Sequence, residues 1–279
     1  MQLSLPRQRT LDLARPRIMG ILNVTPDSFS DGGQYQQLDT ALYQAEQMLQ
    51  QGAAILDIGG ESTRPGSEPV PLQQELDRVL PVIEAIRTRF DCVLSIDTSK
   101  AAVMSAAVQA GADMINDVYA LRADGALAVA AATGVPVCLM HMLGEPKTMQ
   151  QQPTYQDVTA EVLLFMQQRI DACLAAGIQR QQLLLDPGFG FGKTLAQNYQ
   201  LLQQLEQWQT LQLPLLVGMS RKSMVGNLLN QPVAERLAGS LACATIAAIK
   251  GAHIIRVHDV KATADALAVV DATLHGVKE

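Results

Sequence analysis

The stretch Ile18-Met19-Gly20-Ile21-Leu22-Asn23-Val24-Thr25-Pro26-Asp27-Ser28-Phe29-Ser30-Asp31-Gly32-Gly33 begins as an apolar run and then changes to a polar loop with one proline and two glycines. The apolar half is typical of a buried strand. Many α/β enzymes place reactive groups in a loop at the carboxyl end of such a strand. An ordinary strand-to-helix connection is the plain alternative. This alternative is less favoured, because the same pattern of an apolar run followed by a polar loop recurs along the chain.

The amino-acid composition indicates the type of core and excludes some classes of binding partner. Of 279 residues, 48% are apolar and only 4% aromatic, which predicts an aliphatic core like that of a parallel sheet covered by helices. A net charge of −6 argues against nonspecific binding to nucleic acid or to an anionic membrane. The four widely spaced cysteines form no C-x-x-C motif and predict reduced, buried thiols in a cytoplasmic protein: Cys92, Cys138, Cys173 and Cys243.

Short apolar runs alternate with amphipathic ones along the whole chain. Eight predicted strands end near Val24, Gly59, Thr98, Val118, His141, Pro187, Gly218 and His258. Eight helical patterns follow them: 38–51, 72–89, 100–110, 125–132, 158–176, 194–205, 233–250 and 260–274. Eight such units predict an α/β fold, a (β/α)8 TIM barrel with its site at the carboxyl ends of the strands. We expect one domain over residues 1–279, with 1–17 as an N-terminal extension; a doubly wound open sheet is the alternative.

Polar residues follow most of the predicted strands. The segments are 57–66, 95–98, 116–118, 186–194, 218–223 and 256–259. One aspartate in an apolar run is often only structural, and Asp57 and Asp117 are candidates for that role. Carboxylates or amides at five strand ends are harder to dismiss, because each buried charge needs a partner.

Several motifs that resemble phosphate-binding or metal sites do not support that interpretation. Gly192-Lys193-Thr194 resembles the end of a phosphate-binding loop, but its first glycine would stand at position 187, which is Pro187. Thr194 and Ser99 are better interpreted as helix N-caps. The histidines lack the spacing of a zinc site, although His141 could line the pocket.

Arg256 and His258 lie two residues apart on one strand and therefore share a face. An arginine and a histidine at a barrel mouth would suit a phosphate group. In the alternative interpretation, His258 only bonds Asp259 or a neighbouring loop.

Together, residues 23–33, 59–66, 186–193, 220–222 and 256–258 resemble dihydropteroate synthase, a pterin-binding family. The resemblance extends from about Pro16 to the C-terminus. It implies a transferase of folate biosynthesis that joins 7,8-dihydropterin-6-ylmethyl diphosphate to 4-aminobenzoate, releasing pyrophosphate and 7,8-dihydropteroate. It also implies a homodimer and inhibition by sulfonamides, which mimic 4-aminobenzoate.

The resemblance further implies roles for individual residues. The pterin diphosphate would contact Thr63, Arg64, Asp97, Asn116, Asp186, Lys222, Arg256 and His258. The 4-aminobenzoate would contact Phe29, Arg64, Pro65, Phe191 and Ser220. Asp31, Lys222 and Arg256 are the expected catalytic residues, with Asp31 stabilising a pterin-methylene cation in a dissociative reaction. Asn23 would supply an oxygen to Mg²⁺, which is held mainly by substrate phosphates.

Two related interpretations remain open at this point. A pterin-dependent methyltransferase would share Asp97, Asn116 and Asp186 but would not need the loops at 27–33 and 63–66. A non-catalytic pterin-binding paralogue would be expected to have lost loop residues, and here both loops look intact. A purely structural or interaction barrel would explain none of the polar strand ends.

Overall fold

The computed structural model describes residues 1–25, 34–62, 67–144 and 153–277. Its strands are β1 (Gln2–Leu5), β2 (Arg9–Asp12), β3 (Arg17–Asn23), β4 (Ile55–Gly59), β5 (Val93–Asp97), β6 (Met114–Asp117), β7 (Val137–Met140), β8 (Leu183–Asp186), β9 (Leu216–Val217) and β10 (Ile254–Val257). Its α-helices are α1 (Gln34–Gln50), α2 (Leu72–Arg89), α3 (Ala101–Ala110), α4 (Ala126–Thr133), α5 (Val158–Ala175), α6 (Leu195–Gln203), α7 (Ser223–Leu229), α8 (Leu237–Ile249) and α9 (Val260–His275).

The eight strands β3 to β10 form one parallel sheet in the order β8-β7-β6-β5-β4-β3-β10-β9. A parallel bridge between Leu185 and Leu215 joins its two edges, and the Leu185 N–H donates to Pro214 O at 3.0 Å. The sheet therefore closes into a barrel, which confirms the predicted TIM barrel and shows that the open-sheet alternative is wrong. The carboxyl ends of all eight strands meet at one face of this barrel.

The helices begin and end largely where the sequence signals predict. Glycines 52, 111, 134, 177 and 251, each expected just after a helix, all have positive φ values between 68° and 120°. Thr194 caps α6 with a reciprocal capping box, as predicted. The prediction for Ser99 is wrong, because α3 begins after Lys100, which occupies the N-cap position without a side-chain cap.

Two departures from the predicted helices lie between β9 and β10. The seven-residue helix α7 was not predicted, because it is short and its Gly226 and Asn227 are weak helix formers. The predicted helix over 233–250 divides into a 3-10 turn at Val233–Glu235 and helix α8.

The first seventeen residues have a structural role that the sequence did not reveal. Strands β1 and β2 form an antiparallel hairpin whose four buried leucines pack against the first residues of the barrel strands. The hairpin thereby covers the amino end of the barrel. Arg7 and Arg9 join Arg87 around the fully buried carboxylate of Asp113, which ties the hairpin to the barrel.

The remaining features agree with the expected aliphatic core. The main core lies between barrel and helices, and its largest buried side chains include Trp208 and Phe189. All four cysteines are free and buried, as predicted. Within the described ranges, no helix is long and apolar enough to cross a membrane.

Candidate active site

The structure describes nine of the predicted site residues, all on strand ends or the loops that follow them. They are Asn23, Asp97, Asn116, Asp186, Phe191, Ser220, Lys222, Arg256 and His258. The other five lie outside the described residues: Phe29, Asp31, Thr63, Arg64 and Pro65.

Strand register places one row of polar residues side by side. Asn23 pairs with Gly59, Gly59 with Asp97, and Asp97 with Asn116 across β3 to β6. Because paired residues on neighbouring parallel strands point to the same side, these side chains line one layer of the barrel mouth. A Cβ on Gly59 would lie 3.6 Å from both Asn23 Oδ1 and the Asp97 side chain.

Arg256 lies at the centre of a buried ionic cluster. Its Nε donates to Asp57 Oδ2 and its Nη2 to Asp97 Oδ2, both at 2.6 Å. Asn116 Nδ2 also donates to Asp57 Oδ2, at 3.1 Å. Asp57, considered above as a structural residue, is thus the group that orients Arg256 and Asn116. Asp117 does have the structural role suggested for it, since its carboxylate binds the backbone N–H groups of Tyr119 and Leu121.

The charges of this cluster are not fully balanced. One guanidinium serves two carboxylates, and the Oδ1 atoms of Asp57 and Asp97 are buried without a hydrogen-bond partner among the described residues. Burial raises the pKa of Asp97 to about 7; Arg256 opposes this shift, while the nearby Asp57 charge adds to it. Unmatched buried acceptors at the carboxyl ends of the barrel strands are suited to a ligand that brings N–H groups.

Asp186 lies at the end of β8, beside a second cation. Its Oδ1 accepts the backbone N–H of Gly188 at 2.8 Å. Burial raises the pKa of Asp186, and the opposing effect of Lys222 is the largest of those that lower it. Burial likewise lowers the pKa of Lys222 to about 8, although Asp186 acts in the other direction.

Lys222 connects the loops after β8 and β9. Its Nζ donates to Phe189 O at 2.7 Å and lies 4.6 Å from the centre of the Phe191 ring. This cation–π contact places Phe191, an expected 4-aminobenzoate residue, directly beside the expected pterin residues.

The predicted phosphate grip is only partly assembled. Arg256 already donates to two carboxylates, as described above. His258 Nδ1 lies 3.0 Å from Ser220 Oγ, and its backbone N–H donates to the same oxygen at 3.2 Å. The alternative in which His258 bonds a neighbouring loop therefore describes this structure. Its neighbour Asp259 instead pairs with Arg221 through both carboxylate oxygens.

One buried polar pair in this region was not predicted from the sequence. His141 was expected to line the site, but its side chain is buried and its Nδ1 lies 2.9 Å from Lys193 Nζ. Lys193 was dismissed with the rejected phosphate-loop motif. A lysine surrounded by glycines and phenylalanines, following a strand, was the signal available in the sequence.

The residues present fit a magnesium ion held mainly by substrate. Within the described ranges, no group of three His, Cys, Asp or Glu side chains could hold a metal. Asn23 is half-buried at the end of β3, with its amide oxygen beside Asp97 across Gly59. A single amide oxygen suits Mg²⁺, which keeps most of its waters and takes phosphate oxygens as ligands.

Comparisons with known proteins agree with this geometry. The family model described as "Pterin binding enzyme" matches residues 19–258. The dihydropteroate synthase of Escherichia coli strain K12 is 58% identical over 265 residues, covering 95% of this chain and 94% of that protein. The dihydropteroate synthase of Haemophilus influenzae is 55% identical over 265 residues, with 95% and 96% covered.

Solved structures give the same result. The Yersinia pestis dihydropteroate synthase in a sulfonamide drug complex superposes with a TM-score of 0.94 at 60% identity, covering 98% of this chain and 99% of that one. The Xanthomonas albilineans dihydropteroate synthase with 4-aminobenzoic acid gives a TM-score of 0.92 at 50% identity, with 98% of each chain covered. The resemblance found in the sequence motifs thus extends over the whole barrel, and the chain belongs to the dihydropteroate synthase family, transferases of folate biosynthesis.

Proposed function

We propose that this chain condenses 7,8-dihydropterin-6-ylmethyl diphosphate with 4-aminobenzoate, giving 7,8-dihydropteroate and pyrophosphate by a dissociative mechanism. The observation that carries the proposal is the buried cluster of three carboxylates and two cations from four strands and the loop after β9: Asp57, Asp97, Asp186, Arg256 and Lys222. The high identity to dihydropteroate synthases favours this reaction over the pterin-dependent methyltransferase considered above.

The hydrogen-bond donors of the pterin ring would bind to carboxylates of the site, and its acceptors to cationic or amide donors. A 2-amino-4-oxopteridine presents adjacent N–H donors, which the Asp186 carboxylate can accept. Asn116 and Asp97 would bind further ring atoms, and the Lys222 ammonium would donate to the ring's acceptor side. A heterocycle with a different donor pattern would leave buried groups unpaired, at a cost of about 1–3 kcal/mol each.

The diphosphate end would lie toward Arg256 and His258, with Thr63 and Arg64 from the loop after β4. Arg256 uses Nε and Nη2 for its carboxylates, which leaves Nη1 for a phosphate oxygen. Asn23 would bind the Mg²⁺ that arrives with the diphosphate. When bound, this ion would neutralise charge on the leaving group.

Loss of pyrophosphate would leave a delocalised cation on the pterin methylene. Asp31 would stabilise that cation, which is the catalytic role proposed for it. Phe29, Pro65, Phe191 and Ser220, together with Arg64, would hold 4-aminobenzoate so that its neutral amine attacks. No strong general base is needed, because the proton of the attacking amine can leave to water or to pyrophosphate, and His258 is not proposed as a base. Sulfonamides would compete for the same pocket.

The test is the release of pyrophosphate from the pterin diphosphate in the presence of Mg²⁺, with and without 4-aminobenzoate. We expect release that depends on 4-aminobenzoate, with dihydropteroate formed in equal amount. Tight pterin binding without turnover would contradict the proposal and favour a non-catalytic paralogue.

The chain is further proposed to act in the cytoplasm, as one domain over residues 1–279, and as a homodimer. Free, buried thiols are consistent with a reducing compartment. Exposed apolar side chains on α7 and α8 support the dimer: Leu228, Leu229, Leu237, Ile246 and Ile249 are each 41–55% exposed. Ile246→Glu should therefore yield monomers in light scattering, whereas a mass unchanged from that of the unmodified dimer would contradict this interface.

A further inference from the structure

Lys193 is a fully buried lysine to which the proposed reaction assigns no role. It ends the loop that follows β8, and its residue is only 3% exposed. Its Nζ lies 2.8 Å from Gly188 O, 3.0 Å from Phe191 O and 2.9 Å from His141 Nδ1. A longer contact of 3.4 Å reaches His141 O.

These partners match the three N–H groups of an ammonium ion. Burial and the nearby Lys193 and Arg122 lower the pKa of His141 to about 2, so its ring is neutral and Nδ1 can accept a hydrogen bond. Burial also lowers the pKa of Lys193, and the Asp186 carboxylate opposes that shift. In the tautomer with the ring proton on Nε2, His141 Nδ1 is an acceptor, and each N–H of the ammonium form then has an acceptor.

The loop held by Lys193 carries atoms that face the substrate site. Gly188 N–H binds Asp186, Phe189 O binds Lys222, and the Phe191 ring lies beside the same ammonium group. The loop packs so closely on β7 that a Cβ on Gly188 would lie 1.8 Å from His141 O. Such a fold of the backbone needs a donor for its converging carbonyl groups, and Lys193 supplies it.

We propose that Lys193 is a positioning residue of the pterin site, which fixes the loop from Gly188 to Gly192 and whose positive charge favours the ionised carboxylate of Asp186. The inference rests on the proposed function, because it assumes that Asp186 accepts hydrogen bonds from the pterin. It gives Lys193 two effects that can be separated by experiment, one geometric and one electrostatic.

The electrostatic effect depends on every charged group near Asp186. Lys222, Arg256 and Lys193 lower its pKa, together with the N–H of Gly188. The buried Cys138 thiol on β7 is also near enough for the Asp186 charge, after burial, to raise the pKa of that thiol. Removing Lys193 removes one of these three cations, so the pKa of Asp186 would rise further. Because the pterin needs the ionised form, binding would then be lost at a higher pH as the solution is acidified.

The experiment uses the full chain with the substitution Lys193→Met. The dissociation constant for the pterin diphosphate with Mg²⁺ is measured by calorimetry from pH 5.5 to 8.5. We expect binding about tenfold weaker at pH 6 and a smaller loss at pH 8.5, since each unit of pKa corresponds to a tenfold change in ionisation. The control Lys250→Met also removes one lysine, but that lysine pairs with Glu206, and its profile should not change.

Two variants of His141 test the geometric effect without removing the lysine. In His141→Asn the amide oxygen can replace Nδ1 as acceptor, whereas His141→Leu provides none. We expect the asparagine variant to bind the pterin diphosphate within about threefold of the unmodified chain and the leucine variant to bind it about tenfold more weakly. If Lys193→Met does not fold, the His141 variants still test whether Lys193 fixes the loop.

Several results would overturn the proposal. The first is a Lys193→Met variant that binds pterin diphosphate as tightly as the unmodified chain does. The second is a Lys193→Met variant whose loss of affinity is the same at every pH. The third is equal affinity of the two His141 variants for pterin diphosphate. If the unmodified chain neither binds pterin diphosphate nor releases pyrophosphate, the proposed function itself fails and this inference fails with it. If the unmodified chain turns over normally and the variants bind pterin diphosphate as it does, only the role of Lys193 is refuted.

Discussion

Replacing Asp186 by asparagine should remove tight pterin binding while leaving the barrel folded. Oδ1 of Asp186 accepts the Gly188 N–H at 2.8 Å, and in the proposed complex Oδ2 accepts from the pterin. In the Asp186→Asn variant the amide oxygen would keep the Gly188 N–H. The amide NH₂ group, which is a donor, would then face the N–H donors of the pterin. The carboxylate oxygen that it replaces is an acceptor.

The size of the effect follows from the bonds that change. One hydrogen bond to a charged acceptor is lost, worth about 1.5–3 kcal/mol, and a donor of the ligand stays unpaired at a cost of about 1–3 kcal/mol. Together these give about 2.5–6 kcal/mol, or roughly 10²- to 10⁴-fold in Kd. Because burial raises the pKa of Asp186, the ionised carboxylate is unfavourable in the free protein, and a neutral amide should not lower stability near pH 7.

Calorimetry with the pterin diphosphate and Mg²⁺ at pH 7 measures the change. Asp117→Asn is the matched control, because Asp117 is also buried at a strand end and binds the N–H groups of Tyr119 and Leu121. One of those two groups would lose its acceptor, so the free energy of unfolding should fall by about 1–3 kcal/mol while Kd stays within about threefold. A Kd for Asp186→Asn within about fivefold of the unmodified chain would refute the role of Asp186.

Further predictions concern the two cations and the first loop. The kcat/KM of the unmodified chain should fall as pH rises through about 8, where Lys222 loses its proton, and a Lys222→Met variant should lack this limb; an identical limb in both would contradict the assignment. Arg256→Gln leaves two buried carboxylates without their cation, so urea unfolding should show a loss of about 3–5 kcal/mol. This loss should be greater at pH 8 than at pH 5, because the raised pKa of Asp97 makes its ionisation destabilising at high pH; equal losses would count against the ion pair. Asp31→Asn should lower kcat and leave the Kd of pterin diphosphate nearly unchanged, and a normal kcat would exclude its proposed role.

The sequence was sufficient to locate the barrel strands and the residues at their ends. Each strand is a short apolar run between turn residues, and alternation with amphipathic helices permits few parallel architectures. Carboxyl ends of parallel strands converge, so Asp97, Asn116, Asp186 and Arg256 could be assigned to one site before any contact was known. The N-terminal hairpin escaped notice, because its turn residues Arg7 and Gln8 have positive φ values without a glycine signal.

The partners within the site were decided by tertiary structure alone. Arg256 pairs with Asp57 across 199 residues of chain, and Lys193 meets His141 across 52. Alternation along a strand predicts which face a side chain occupies, but the partner on that face depends on the register between strands and on how the barrel closes. The balance of burial and neighbouring charge that shifts Asp97, Asp186 and Lys222 likewise arises only after closure, because it depends on distances between strands that are remote in sequence. Local chemistry therefore determined the fold and the location of the site, and packing of distant segments determined which charges meet there.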